Sequence, residues 1–221
     1  MIFSELNEEE VKEKIHEVSD HVKARSMGRT KIIAVTKSLN KEAIVVAKEA
    51  GIQAVGENYA QELIEKHQAL GDPEIEWHMI GAVQRNKIRK LSGILSLWQS
   101  VDRIEVLDEI KKRDPLGKVL IQINPLGEKG KGGCSFHEAG NLIEHGLEIG
   151  LSVEGVMAVG VQGDLKKTSE IFSKVGALTD EFGLSERSIG MSDDIDVAID
   201  HGSTMLRSGR VLFGERAPKN K

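Results

Sequence analysis

Lys37 follows the apolar run Ile32, Ile33, Ala34 and Val35 within the stretch KIIAVTKS, Lys31 to Ser38. A run of branched apolar residues with no polar alternation fits a strand buried on both faces of a parallel sheet. An amine presented at the end of such a strand loses hydration, which disfavours its charged form and lowers its pKa. A lysine tuned in this way is a nucleophile that can form a Schiff base with an aldehyde. The plainer reading is a strand-end lysine snorkelling to water.

A second group of such residues lies near the C-terminus. Ser188 to Asp194 reads SIGMSDD, and Gly202 to Gly214 reads GSTMLRSGRVLFG. Ser192, next to Met191, offers a hydroxyl. Gly209 lets the backbone approach closely, and the amides of Gly209 and Arg210 can point at an anion where a short helix starts. This is phosphate-binding chemistry, although glycines that only make turns and a Ser192 that caps the next helix would read the same way. Arg207, between Leu206 and Gly209, faces either the site or an acid on an outer helix. An aldehyde acceptor at Lys37 and a phosphate cradle near Ser192 suit one ligand together, pyridoxal 5'-phosphate.

The elements that must position these residues alternate along the chain. Asn7 caps a helix to about Met27, with Val11, Ile15, Val18 and Val22 on one face. Strands are expected at Ile32–Val35, Ile52–Val55, Ile75–Ile80, Ile94–Gln99, Lys118–Ile123, Val153–Val159, Arg187–Gly190 and Met205–Leu206. Helices fall between them: from Asn40 to Gly51, up to Leu70, from Gln84 to Leu91, from a cap at Asp102 to Lys112, from Ser135 to Ile149, from Asp164 to Phe182, and from Asp193 to His201. Alternating βα units predict a parallel sheet. About eight of them in a chain of this length predict a (β/α)8 TIM barrel, a single domain over residues 1–221, with the extra N-terminal helix closing the bottom. A doubly wound open sheet is the alternative. In a barrel the strand ends carrying Lys37, Asn58, Gly81, Asp102, Asn124, Met191 and Ser192, and Arg207 to Gly209 converge on one mouth. The loops after its last two strands commonly bind phosphate.

Composition narrows the function classes. The chain has 221 residues, 39% of them hydrophobic and 29% charged, so it can bury a sizeable core. A net charge of -5 disfavours a nucleic-acid binder. One cysteine, Cys134, excludes an internal disulfide, and the scattered histidines show no metal spacing. The acidic, helical start has neither the basic nor the apolar part of a signal peptide, and no run approaches membrane-spanning length. A cytoplasmic protein with no membrane partner is expected.

AVTK at Ala34–Lys37, GENYAQE at Gly56–Glu62, WHMIGAVQRNK at Trp77–Lys87, GMSDD at Gly190–Asp194 and the closing GSTMLRSGRVLFG occur in this order and spacing. Together they resemble the pyridoxal phosphate homeostasis protein family, which is similar to the barrel domain of bacterial alanine racemase standing alone. The resemblance covers essentially the whole chain. It implies a pyridoxal phosphate binder without substrate turnover that keeps vitamin B6 and amino-acid pools balanced. It implies that Lys37 carries the internal aldimine and that Asn58 approaches the ring. Ser192, Gly209 and Arg210 would hold the phosphate beside Met191, and Arg207 would face the pyridine nitrogen. Pyridoxal-phosphate-dependent apoenzymes are the implied partners of a monomer. Val159–Gly163, the glycine-rich Gly127–Gly133 and Thr36 depart from the family's usual pattern.

Three functions are compatible with these residues: a pyridoxal phosphate carrier, an amino-acid racemase, and a Schiff-base aldolase without cofactor. A racemase needs two bases on opposite faces of the substrate. Lys37 is one, and the related racemases take the second from a separate C-terminal domain. Tyr59, the only tyrosine, is expected to begin a helix. Binding without turnover is the expectation. Lys129 and Lys131 read as exposed loop lysines, with transient aldimines near the mouth as the alternative. His78 reads as a packed or hydrogen-bonded core histidine, and the basic residues Arg85, Lys87, Arg89 and Lys90 as a solvated face.

Overall fold

The computed structural model describes residues 7–128 and 130–214. In chain order its elements are α1 (Glu8–Ser26), β1 (Lys31–Val35), α2 (Glu42–Glu49), β2 (Ala54–Glu57), α3 (Ala60–Leu70), β3 (Glu76–Met79), α4 (Arg85–Leu91), β4 (Leu95–Val101), α5 (Ile104–Arg113), β5 (Lys118–Ile123), α6 (Phe136–Glu148), β6 (Ser152–Ala158), α7 (Leu165–Glu181), β7 (Glu186–Ser188), α8 (Ile195–Asp200), β8 (Met205–Ser208) and α9 (Arg210–Phe213). The strands pair in parallel in sequence order, and β8 pairs back with β1. The sheet is therefore a closed barrel, and the open doubly wound alternative is overturned.

Local chemistry accounts for most boundaries. The Asn7 side chain accepts from the Glu9 amide at 3.2 Å, and Met27 takes the left-handed conformation that ends α1. Ser135 and Glu138 form a reciprocal capping box at the start of α6. Asp164 caps α7 through the Lys167 amide.

Three expectations are corrected. Asp102 does not cap α5, which starts one residue later from Arg103 without a side-chain cap. Its carboxylate instead accepts from the Gly133 amide at 3.0 Å and so ties the loop after β5 to the end of β4. Helix α2 begins at Glu42, after a turn in which the Asn40 carbonyl accepts from the Ala43 amide. Helix α1 does not close the bottom: it packs in the outer ring against α2, α8 and α9, with Arg25 and His21 paired to Asp200 and Asp196 of α8. It fills the wall that the short α9 leaves open.

Two apolar layers hold the barrel. Inside it, Ile33, Ala54, Leu97, Leu120, Met157 and Met205 pack together. Outside it, the larger cluster lies between strands and helices and includes the fully buried Trp98, Phe172, Ile44 and Leu63. Alternation along β1 and β2 therefore sends Ile33, Val35 and Lys37 towards the interior and mouth, and Thr36 and Glu57 towards the helices.

Candidate functional site

A cavity of about 840 Å³ opens at the C-terminal ends of the strands. All seven residues singled out from the sequence line it: Lys37, Asn58, Met191, Ser192, Arg207, Gly209 and Arg210. They come from the ends of β1, β2, β7 and β8, which the barrel closure makes neighbours around one mouth.

Lys37 follows β1 in a turn and is half-buried. Both of its neighbours are anchored. The Thr36 hydroxyl donates to Glu57 Oε1 at 2.6 Å, and the Ser38 amide donates to Glu62 Oε1 at 2.6 Å. Ser38 holds a left-handed φ of 61°, uncommon for a residue other than glycine. Lys66 of α3 sits behind the turn and donates to the Thr36 carbonyl at 2.8 Å, to Glu57 at 2.7 Å and to Glu62 at 2.7 Å. Burial raises the Glu57 carboxyl above the ordinary carboxylate range, and the Lys66 ammonium and Thr36 hydroxyl pull it part of the way back.

Asn58 follows β2, and its Oδ1 is buried without a hydrogen-bond partner. Gly81 passes close by: a Cβ there would lie 2.1 Å from the Asn58 carbonyl oxygen. Only glycine permits that approach.

Arg207 faces the interior and mouth rather than an outer helix. It is buried, and donates to the Ser188 carbonyl at 2.5 Å, the Ser188 hydroxyl at 2.7 Å and the Ala158 carbonyl at 2.9 Å. Burial pushes its guanidinium down to about 10, against the pull of the nearby Asp194 carboxylate. It stays charged at neutral pH.

Ser192 does not cap α8, which starts from Asp194. Its hydroxyl accepts from the Val211 amide at 3.2 Å, joining the loop after β7 to α9. The Arg210 side chain pairs with Asp193. Lys131 reaches the cavity wall and pairs with Glu128 at 2.7 Å. Lys129 lies outside the described residues. Among the described residues no cluster of His, Cys, Asp or Glu forms a metal site, and no helix is long and apolar enough to cross a membrane.

Sequence reasoning left Glu57 undecided and passed over Glu62 and Lys66. A signal existed: Lys66 stands three residues after Leu63 and four after Glu62, which puts it on the buried face of α3 beside an acid. It also passed over Gln99 and Ser188, buried polar residues inside the barrel. Cys134 is buried, and burial pushes its thiol up to about 12, so it is a poor nucleophile at neutral pH.

Comparison with known proteins adds five findings. Residues 6–217 match the sequence profile of the alanine racemase N-terminal domain. The pyridoxal phosphate homeostasis protein of Aquifex aeolicus is 36% identical over 200 residues, covering 84% of this chain and 87% of that protein. That of Bos taurus is 35% identical, covering 84% and 77%. Among solved structures, PipY of Synechococcus elongatus with pyridoxal phosphate bound superposes with a TM-score of 0.81 at 27% identity, over 90% of this chain and all of that one. Alanine racemase of Clostridium difficile superposes with a TM-score of 0.76 at 15% identity, over 94% of this chain and 61% of that one, a likeness of fold alone.

Proposed function

The chain belongs to the pyridoxal phosphate homeostasis protein family, within the wider family of the alanine racemase N-terminal domain, and from that premise we propose that it binds pyridoxal 5'-phosphate at the barrel mouth and serves to balance the pyridoxal phosphate and amino-acid pools without turning over a substrate. The observation that carries this reading is the single cavity whose wall joins Lys37, Asn58, Ser192 and Arg207. The residues fit the group. The cavity volume, about 840 Å³, suits a small-molecule site, and the buried, unpartnered Oδ1 of Asn58 awaits a donor.

When bound, the group supplies an aldehyde and a ring able to store electron density. Lys37 would hold the group there, its amine supplying the nucleophile that an aldehyde takes. Ser192, Gly209 and Arg210 would hold the phosphate, with Met191 on the adjoining wall. Asn58 would approach the ring, and Arg207 would face its nitrogen.

Binding rather than turnover is favoured by the other groups on the wall. Arginine only donates and stays charged, so Arg207 would offer a protonated ring nitrogen no acceptor. Glu128 is paired with Lys131, and Asp193 with Arg210. Tyr59, which precedes α3, is exposed and is not among the residues lining the cavity. None of these is a ready second base opposite Lys37.

The same reading takes residues 1–221 as one domain and the protein as a cytoplasmic monomer that passes the group to apoenzymes dependent on it. The absorption spectrum of the purified protein is the first test, since an aldolase without cofactor would be colourless. Incubation of the loaded protein with common L-amino acids, followed by chiral chromatography, is the second. Fast, saturable D-amino-acid formation that vanishes in Lys37→Ala would replace this reading with the racemase alternative.

A further inference from the structure

Inside the barrel, buried polar side chains from four strands touch in sequence. Arg207 on β8 donates to Ser188 Oγ on β7 at 2.7 Å. Ser188 Oγ lies 2.7 Å from Gln99 Oε1 on β4, and Gln99 Nε2 lies 2.7 Å from His78 Nδ1 on β3. His78 Nε2 lies 3.8 Å from Glu76, beyond hydrogen-bond reach, and has no hydrogen-bond partner; Glu76 pairs with Lys31 at 2.7 Å at the start of β1. Ser188, Gln99 and His78 are all at most 2% exposed. Burying such groups is costly unless each finds a partner, and the interior cluster packed beside them is apolar.

The chain runs in one direction. Arginine has donors only, so the Ser188 oxygen must accept at that end. Its proton then goes to the carbonyl oxygen of Gln99. With the amide oxygen on that side its NH₂ faces His78, so Nδ1 accepts. The imidazole is therefore neutral, with its proton on Nε2 facing Glu76. The charged groups around His78 are Glu76 on its own strand, Lys31 on β1 and Glu186 on β7. Two carbonyl oxygens, Ser188 and Ala158, complete the seat of Arg207.

We propose that Gln99 and Ser188 are positioning residues: with His78 as the terminal acceptor, they hold the Arg207 guanidinium in one orientation at the mouth. The functional consequence rests on the reading that Arg207 faces the pyridoxal phosphate ring. The geometry of the chain does not.

The test uses ¹⁵N-labelled full-length protein, first without cofactor. In the wild type, NMR of the His78 ring should find Nδ1 bare and Nε2 protonated, and the Arg207 side-chain N–H signals should exchange slowly. Gln99→Glu, read at a pH where its new carboxyl is ionised, presents acceptors at both ends, so His78 must donate from Nδ1 and its bare-Nδ1 signal should be lost. Ser188→Ala should speed Arg207 N–H exchange about fivefold, the factor expected when one net hydrogen bond is lost. Ser188→Thr, which keeps the hydroxyl, should restore it. A protonated Nδ1 in the wild type overturns the proposal without any variant, as does an unchanged His78 signal in folded Gln99→Glu or unchanged Arg207 exchange in folded Ser188→Ala. Titration with pyridoxal phosphate follows on the same samples. A wild type that binds none would overturn the proposed function and leave the chain standing. Normal binding with an altered absorption band in Ser188→Ala supports both.

Discussion

The ammonium of Lys66 lies 2.7 Å from the carboxylate of Glu57, behind the turn that carries Lys37 and almost wholly out of water. This pair joins the ends of β1 and β2 to α3. Its position suggests why a lysine at a strand end keeps one geometry: its neighbours on both sides are tied to the same cluster.

Breaking the pair should be costly. Lys66→Met leaves Glu57 buried with its main partner gone, and should destabilise the protein by about 3–5 kcal/mol. Adding Glu57→Gln should recover part of that loss, because the uncompensated charge disappears. Urea unfolding of the two single variants and the double variant measures the coupling. Strictly additive losses would mean that the pair does not act as a unit.

Lys37→Ala should abolish the borohydride-trapped adduct with pyridoxal phosphate, read by peptide mapping and mass spectrometry. The fold should survive, because the clamp on the turn uses the backbone and side chain of Thr36 and the backbone of Ser38. Full labelling of the variant at another lysine would move the attachment site.

Arg207→Glu sets a carboxylate against the carbonyl oxygens of Ser188 and Ala158, which now accept from the guanidinium. It should destabilise the barrel, by roughly 3 kcal/mol or more, as an uncompensated buried charge does. Arg207→Gln keeps a donor and removes the charge, so it is the better probe of the ring. It should fold and shift the absorption band of the bound cofactor. A band identical to wild type would mean that Arg207 does not face the ring.

Gly81→Ala should weaken cofactor binding without removing a polar group. The added methyl would press on the Asn58 backbone at contact distances of 2.1–2.7 Å, so that residue must move. A cost of about 1–3 kcal/mol is typical of such overpacking. Unchanged stability and unchanged affinity together would place Asn58 outside the binding contacts.

Acid stability should depend on Glu76. His78 and Lys31 hold its carboxyl at about 2, well below the ordinary 4.5. A depressed carboxylate contributes stability above its unfolded value, and that stability is lost as pH falls through its folded value. Glu57 has the opposite sign: burial raises it, so its contribution is fully present below its unfolded value and is lost as pH rises through its folded value. Glu76→Gln should flatten the loss of stability between pH 4.5 and 2, by on the order of 1 kcal/mol for a partly exposed pair. Unfolding free energies at about pH 3 and about pH 6 read this out, and an unchanged acid limb would remove Glu76 from the account.

Sequence alone determined the alternation of strands and helices, because apolar runs, capping residues and turn glycines are local signals. It also determined which residues could meet. Once about eight βα units close, the residues after each strand share one mouth. Asn7, Ser135 and Asp164 cap the helices they precede, whereas Asp102 does not. A side chain that can cap a helix can also hold a distant amide, here Gly133, and only the folded chain decides between them. The direction of Arg207 was open in the sequence, because a strand of four residues flanked by glycine carries too little periodicity to set its faces. The register of β8 against β1 settles it, putting Arg207 opposite Ile33 of the barrel interior. Glu57, Lys66, Gln99 and Ser188 were the least legible. Each is a buried polar residue whose partner lies on another element, and hydrogen bonds between elements leave no period in a sequence.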